Sequence, residues 1–170
     1  MKIPTKVAAY LKKAKVAHDV VPHKTVFTAY DLGQTLKTKL ENIAKTLLVR
    51  VDTTYHLVVL RAADRLDLKK LKAVLGAKQV NIAREQDMAR EMKVKPGALT
   101  PFGGLHKLGL VVDRNLTKAK TALFGSGSFE HSIRMKVADW LKLERPKTGS
   151  FSTSADLKLQ VKPTRPPRKR

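Results

Sequence analysis

Residues 44–62 read AKTLLVRVDTTYHLVVLRA, and this stretch decides the class of fold. Thr46 to Val51 is rich in β-branched and apolar residues, and Asp52-Thr53-Thr54 is a turn. Tyr55 to Ala62 answers it as a second strand, so the segment predicts a β-hairpin. Upstream, Glu41 to Lys45 reads as a single helical turn running into the first strand. Downstream, Asp67 to Leu75 sets Leu68, Leu71, Val74 and Leu75 on one face and stops at Gly76, which predicts an amphipathic helix. A hairpin followed at once by a helix points to a mixed α and β domain.

The same reading extends to both sides. Ile3, Val7, Leu11 and Ala14 recur at spacings of three and four with Pro4 in the first turn, so a helix is expected over 3–16. A short extended piece over 17–21 follows, and then a helix over Ala29 to Leu36 capped by Thr28. Beyond the central helix come a strand at 80–83, a polar helix at 84–92 and a glycine- and proline-rich loop at 95–104. Strands at 108–113, 121–124 and 132–136 and a helix from Val137 to about Leu143 complete the domain. From Arg145 the periodicity stops. Residues 145–170 hold eight basic residues against the single acid Asp156, and they carry Pro, Ser and Thr in place of apolar residues. Such a composition buries too little apolar area to offset its ordering entropy. The expected division is a domain over 1–144 and a disordered basic tail over 145–170.

Charge narrows the function. The 170 residues carry 35 Lys and Arg against 14 Asp and Glu, a net charge of +21. That excess implies a polyanionic partner, nucleic acid or an anionic membrane face. The hydrophobic content of 42% excludes collagen-like and wholly disordered chains. Cysteine is absent, which removes disulfides, thiolate metal sites and thiol catalysis together. No apolar run reaches the roughly 7–15 residues of a secretory leader or the roughly 18 of a membrane span, so a soluble, cytoplasmic protein is expected. His18, His23, His56, His106 and His131 are scattered, with no helical i, i+4 pair and no accompanying carboxylate cluster. Neither a metal nor another cofactor is expected. Aromatic residues make up 5% of the chain, too few to predict a stacking platform of the single-strand-binding kind. The charge therefore points to phosphate contact.

Three segments stand out chemically. In Asn42-Ile43-Ala44-Lys45-Thr46-Leu47-Leu48-Val49 a lysine enters an apolar strand, either as one more solvated side chain among 35 basic residues or as a placed charge. In Gly97-Ala98-Leu99-Thr100-Pro101-Phe102-Gly103-Gly104 three glycines and a proline make either an ordinary connecting loop or a tight turn that exposes backbone N–H groups, with an aromatic anchoring it. Gly125-Ser126-Gly127-Ser128 lies between two strands, either as a plain hairpin turn or as a place where a ligand approaches the backbone closely. No G-x-S-x-G elbow and no phosphate-cradling G-x-x-x-x-G-K-[ST] loop occurs.

The succession IAKTLLV, RLDLKKLKAVLGAK, GALTPFGG, LGLVVD and a GSG turn resembles the YbaK/prolyl-tRNA synthetase-associated editing-domain family over about residues 5–144. The resemblance implies an α+β fold, a single domain with a curved, barrel-like mixed sheet wrapped by helices. It implies an aminoacyl-tRNA deacylase, a trans-editing enzyme that hydrolyses the ester of a mischarged tRNA, with tRNA as its partner and an aminoacyl-tRNA synthetase as a second candidate partner. By resemblance, Lys45 matches the active-site lysine, and Gly97, Pro101, Phe102 and Gly103 match the substrate-orienting loop. The expected catalytic residues are Lys45 and Gly97, and the expected substrate-binding residues are Thr100, Pro101, Phe102, Gly103, Gly125 and Gly127. Lys162, Arg165, Arg168, Lys169 and Arg170 of the tail are the expected tRNA-binding residues. Two positions depart from the family pattern: residues 18–23 lack an aromatic, and Met92 stands where a second glycine is usual. These departures suit an alternative, a non-catalytic RNA-binding module that kept the fold.

Overall fold

The computed structural model describes residues 3–93 and 98–154. The hairpin forms as its sequence dictates: β2 (Ala44–Val51) pairs antiparallel with β3 (Thr54–Arg61), Lys45 opposite Leu60 and Val51 opposite Thr54. It is the centre of a five-stranded sheet in the order β5-β2-β3-β6-β9, where β5 is Val80–Ile82, β6 is Gly109–Asp113 and β9 is Lys147–Gly149. β5 is antiparallel to β2, whereas β6 and β9 run parallel to β3. Both faces of this sheet are covered, which is why Leu57-Val58-Val59-Leu60 is a continuous apolar run and not an alternation. Val49, Val58, Leu60, Val111 and Phe151 pack on one face with Leu71 of the helix over Leu68–Leu75. Leu48, Leu57, Val59 and Val112 pack on the other with Val7, Leu11 and Trp140.

A second, all-antiparallel sheet has the order β1-β8-β7, with β1 at Asp19–Pro22, β7 at Thr121–Gly125 and β8 at His131–Lys136. A single parallel bridge between Ile43 and Leu123 joins it to the start of β2. A third, two-stranded sheet pairs β10 (Ser152–Ser154) with β4 (Asp64–Leu66). The mixed α+β single domain is as expected, but among the described residues no sheet closes into a barrel. The sheets meet at the Ile43 bridge instead, and both bridge residues line the cleft described below.

Seven α-helices accompany the sheets among the described residues: α1 (Thr5–Ala14), α2 (Ala29–Leu36), α3 (Leu68–Leu75), α4 (Glu85–Met92), α5 (Gly103–His106), α6 (Arg114–Thr117) and α7 (Val137–Glu144). The Thr28 cap and the Gly76 stop foreseen in the sequence are made: Thr28 accepts from the Asp31 N–H, and Gly76 ends α3 at φ 61°. Asp67, read as the first helical residue, is instead the N-cap and accepts from the Lys70 N–H. The helical turn expected at 41–45 is a 3₁₀ turn over Leu40–Asn42, and Lys45 lies wholly within β2. None of these helices is long and apolar enough to cross a membrane.

The expected boundary at 144/145 does not hold for the residues that follow it. Residues 145–154 are built into the domain through β9 and β10, and Phe151 is fully buried. The cause is Asp113, buried at the end of β6. Its Oδ1 accepts the N–H groups of Phe151 (2.9 Å) and Ser152 (3.1 Å), and its Oδ2 accepts the Ser152 hydroxyl (2.9 Å) and the Asn115 N–H (3.1 Å). A carboxylate holding four donors fixes a segment whose composition alone would leave it loose. Residues 155–170, with the basic positions Lys162, Arg165, Arg168, Lys169 and Arg170, lie outside the described residues.

Candidate active site

The bridge between Ile43 and Leu123 sets the beginning of β2 beside the end of β7, and the segment 98–100 passes next to both. Together they bound a cleft of about 330 Å³. Its apolar wall is Ile43, Ala44, Leu47, Met88, Leu99, Leu123 and Phe124, and its polar wall is His23, Lys45, Thr46, Ser128, His131 and Ser132. Leu32 and Phe27 from α2 and the turn before it close the outer side, with Phe129 opposite. The volume is at the small end of the range for ligand pockets, and the few convergent polar groups on an apolar floor are typical of one.

Lys45 is half-buried in this wall, and its Nζ donates to the Asp64 carbonyl oxygen at 3.0 Å. Burial lowers its pKa from the ordinary lysine value; the Asp64 carboxylate opposes that shift and Arg65 adds to it. The Asp64 carboxylate is itself forked by Arg61, at 2.7 and 2.9 Å, so a local counter-charge already occupies it. The lysine is thus an ammonium held in place by a neutral carbonyl, at the edge of an apolar cleft.

Opposite stands a set of histidines and serines that the sequence reading did not gather. His23 Nε2 is 3.0 Å from the Ser132 hydroxyl, while its Nδ1 lies 2.8 Å from the Lys24 carbonyl oxygen. His131 is buried with Nδ1 3.2 Å from the Ser128 hydroxyl. The Ser126 hydroxyl donates to the His131 carbonyl at 2.6 Å and accepts the Ser128 N–H, which makes the GSGS segment a specifically bonded turn. The Thr46 hydroxyl oxygen in the cleft wall is buried and has no hydrogen-bond partner in the protein among the described residues. His23 and Thr46 are far in sequence from the 126–132 turn, and only the pairing of β1 with β8 and the Ile43–Leu123 bridge bring them to it.

The loop residues take different positions. Gly125 lines the cleft, and a Cβ there would collide with the Leu99 carbonyl oxygen, so glycine is what lets the loop pass this close. Gly127, at φ 89°, and Thr100 line a neighbouring, wider groove. The Thr100 hydroxyl shares a 2.7 Å hydrogen bond with His106 Nε2. Pro101 and Phe102 lie behind the cleft: Trp140 Nε1 donates to the Pro101 carbonyl at 3.0 Å, and Phe102 is fully buried against Tyr10 with ring centroids 5.8 Å apart. Gly103 begins α5, and its missing Cβ leaves room for the Leu108 carbonyl oxygen. Glu144 at the end of α7 ties the arrangement down, accepting the Tyr10 hydroxyl (2.6 Å) and the Gly104 N–H (3.0 Å). Of the expected loop, then, Leu99 reaches the cleft, Thr100 faces the adjacent groove, and residues 101–103 are its foundation. Gly97 lies outside the described residues.

This arrangement has relatives. The aminoacyl-tRNA editing domain family matches residues 23–143, well over half of the sequence, and the chain belongs to that family. Among curated proteins, the chain is 28% identical over 141 residues to the multifunctional Ser/Thr-tRNA deacylase ProXp-y of Escherichia coli K12, covering 80% of this chain and 84% of that protein. It is 28% identical over 116 residues to the prolyl-tRNA editing protein ProX of Acetoanaerobium sticklandii, covering 65% and 71%. A proline–tRNA ligase of Macrococcus caseolyticus matches at 26% over 106 residues, but that match spans only 18% of the ligase. Among solved structures, a hypothetical protein superposes with TM-score 0.80 at 20% identity, covering 87% of this chain and 99% of the other. A candidate trans-editing enzyme for prolyl tRNA synthetase superposes with TM-score 0.77 at 17% identity, covering 90% and 100%. At those identities the superpositions establish the shared fold.

Proposed function

We propose that the protein is a trans-editing aminoacyl-tRNA deacylase, a hydrolase that cleaves the ester linking a wrong amino acid to the terminal ribose of a tRNA. The observation that carries this reading is the half-buried Lys45 ammonium at the edge of a small, mostly apolar cleft in a chain of net charge +21. Water adds to the ester carbonyl, the tetrahedral intermediate expels the ribose oxygen, and the products are the free amino acid and a tRNA with a free terminal hydroxyl. An aminoacyl ester is already activated, so positioning and electrostatic stabilisation suffice without a protein nucleophile. Lys45 holds a ribose or phosphate oxygen of the terminal nucleotide, while the apolar wall selects the amino acid by size at about 1–3 kcal/mol per methylene. The 97–100 loop supplies N–H groups to the developing oxyanion. Trp140, Phe102 and Glu144 hold its far side rigid, as preorganised donors require.

The tail residues Lys162, Arg165, Arg168, Lys169 and Arg170 add nonspecific affinity for the RNA backbone in this reading. The site of action is the cytoplasm, alongside or between synthetases. The test is a deacylation screen over mischarged tRNAs with wild type and Lys45→Ala: release of at least one noncognate amino acid by wild type, abolished in the variant, is expected. Intact substrates across the panel at saturating protein would overturn the enzyme reading. tRNA binding indifferent to Lys45 and to charging would replace it by the non-catalytic module.

A further inference from the structure

Two phenylalanines stand at the mouth of the cleft, and neither the lysine nor the loop accounts for them. Phe27 is 66% exposed, the highest value for a large hydrophobic residue among the described residues, and its ring centroid is 5.0 Å from that of Phe129 at an interplanar angle of 57°. Both rings line the cleft. The pair is built by the backbone: beyond β1 the chain continues beside the turn between β7 and β8, with the His23 N–H donating to the Glu130 carbonyl (2.9 Å) and the Val26 N–H donating to the Phe129 carbonyl (3.0 Å). Thr28 then caps α2, which fixes the direction in which Phe27 leaves the chain. An exposed ring held this firmly at the entrance of a site leaves an apolar face in water, and a ligand that covers it gains that area.

Phe129 also lies on the ridge between two cavities. The wider groove on its other side, about 1180 Å³, shares Ser128 and Phe129 with the cleft. It is lined by Lys6, Lys93, Lys107 and His106, with Glu91 and Glu130 as its acids, and Glu91 is paired with Arg90. A small apolar cleft, an aromatic ridge and a basic groove therefore follow one another without a break.

We propose that Phe27 and Phe129 form the platform on which the terminal base of the aminoacyl-tRNA stacks, and that the preceding single-stranded nucleotides leave over Phe129 into the groove of Lys6 and Lys107. This assignment rests on the editing reading above, since it is the ester-bearing ribose in the cleft that brings the base to this ridge. At about 330 Å³ the cleft accommodates an aminoacyl group and ribose, and the base is left at the entrance. With the rings inclined by 57°, a planar base lies face to face on one ring and meets the edge of the other, both favourable aromatic geometries. Every base has a π-face, so the platform holds the strand end without reading sequence. The low aromatic content that argues against such a platform in the sequence is offset by placement: two of five phenylalanines meet at the one point where a single base needs support.

The test uses the trinucleotide CCA carrying 2-aminopurine as its terminal base, together with deacylation of mischarged tRNA, on wild type, Phe27→Ala, the Phe27→Ala/Phe129→Ala double variant and Phe27→Trp. Stacking quenches the probe, so wild type is expected to quench on binding. The double variant weakens binding about tenfold or more, within the range base–aromatic stacking supports, and Phe27→Trp retains it. Phe27→Ala alone, at an exposed position, carries the test if the double variant does not fold. Undiminished quenching in Phe27→Ala and the double variant overturns the platform. So does a Phe27→Ala protein that changes only which amino acid is released. Probe quenching that depends on both rings in a protein that hydrolyses no mischarged tRNA supports the platform and removes the hydrolase instead.

Discussion

Gly125→Ala is the sharpest single perturbation of the site. The cleft depends on the segment 98–100 crossing the end of β7, and a Cβ at position 125 would lie about 1 Å inside ordinary van der Waals contact with the Leu99 carbonyl oxygen. The obstacle is backbone on both sides, so it cannot be relieved by a side-chain rotation. The loop has to retreat by about that 1 Å, while its far side stays fixed by the Trp140–Pro101 hydrogen bond and the buried Phe102. Overpacking of this kind costs about 1–3 kcal/mol. A misplacement of about 1 Å in an oriented site costs roughly a hundredfold in rate. Deacylation by Gly125→Ala is therefore expected to fall about a hundredfold in kcat, with KM little changed because Lys45 and the groove remain. Single-turnover hydrolysis of a mischarged tRNA at saturating protein, with thermal denaturation in parallel, measures both. A variant that folds and hydrolyses at the wild-type rate would refute the claim that the 98–100 loop acts from its observed position against β7.

Lys45→Arg keeps a cation that stays charged at high pH. Because burial lowers the lysine pKa below its ordinary value, wild-type affinity for the CCA probe should decline with rising pH before free lysine titrates, and the decline should vanish in the arginine variant. A coincident decline in both proteins would exclude Lys45 as its source. His106 is shifted in the same direction: burial, with Lys6 nearby, lowers its pKa, so the unfolded chain binds more protons than the folded one as pH drops through about 6.5. Stability should therefore fall on acidification through that value and level off below the folded pKa, a dependence that calorimetry should find weakened in His106→Gln. Phe151→Ala should cost about 3–5 kcal/mol in chemical denaturation, whereas a loose tail would make it silent. Deleting residues 155–170 should flatten the salt dependence of tRNA binding, each lost phosphate contact removing a slope of about 0.7 on a single strand; an unchanged slope would assign the affinity to the folded domain.

Much of the local structure is legible in the chain. The 46–62 hairpin, the Thr28 cap and the Gly76 stop each follow from residues acting on their own backbone within a few positions, and each forms. Lys45 stands out in the chain as a lysine entering the apolar run IAKTLLV, a setting that suits a solvated side chain equally, and it is the family motif that marks it. What escapes is whatever depends on distant partners. β9 and β10 hang on the Asp113 carboxylate, nearly forty residues away, and no local pattern announces them. The polar wall of the cleft joins His23 to Ser132 across 109 residues. Phe102 does anchor its glycine-rich loop, but no local pattern shows what it anchors to: Tyr10 against its ring and Trp140 bonded to the neighbouring Pro101 arrive from the two ends of the domain and bury it fully.

By itself, then, the sequence determines most of the elements, the excess of positive charge and the family motifs, Lys45 among them. These are properties of single residues and of near neighbours, where the backbone's own periodicity does the sorting. Only the tertiary structure decides where the cleft opens, which loop residue reaches it, and that two sparse phenylalanines meet at its mouth. Those are set by the meeting of two sheets at Ile43 and Leu123, a contact between segments eighty residues apart whose formation depends on burying both sheets' apolar faces at once.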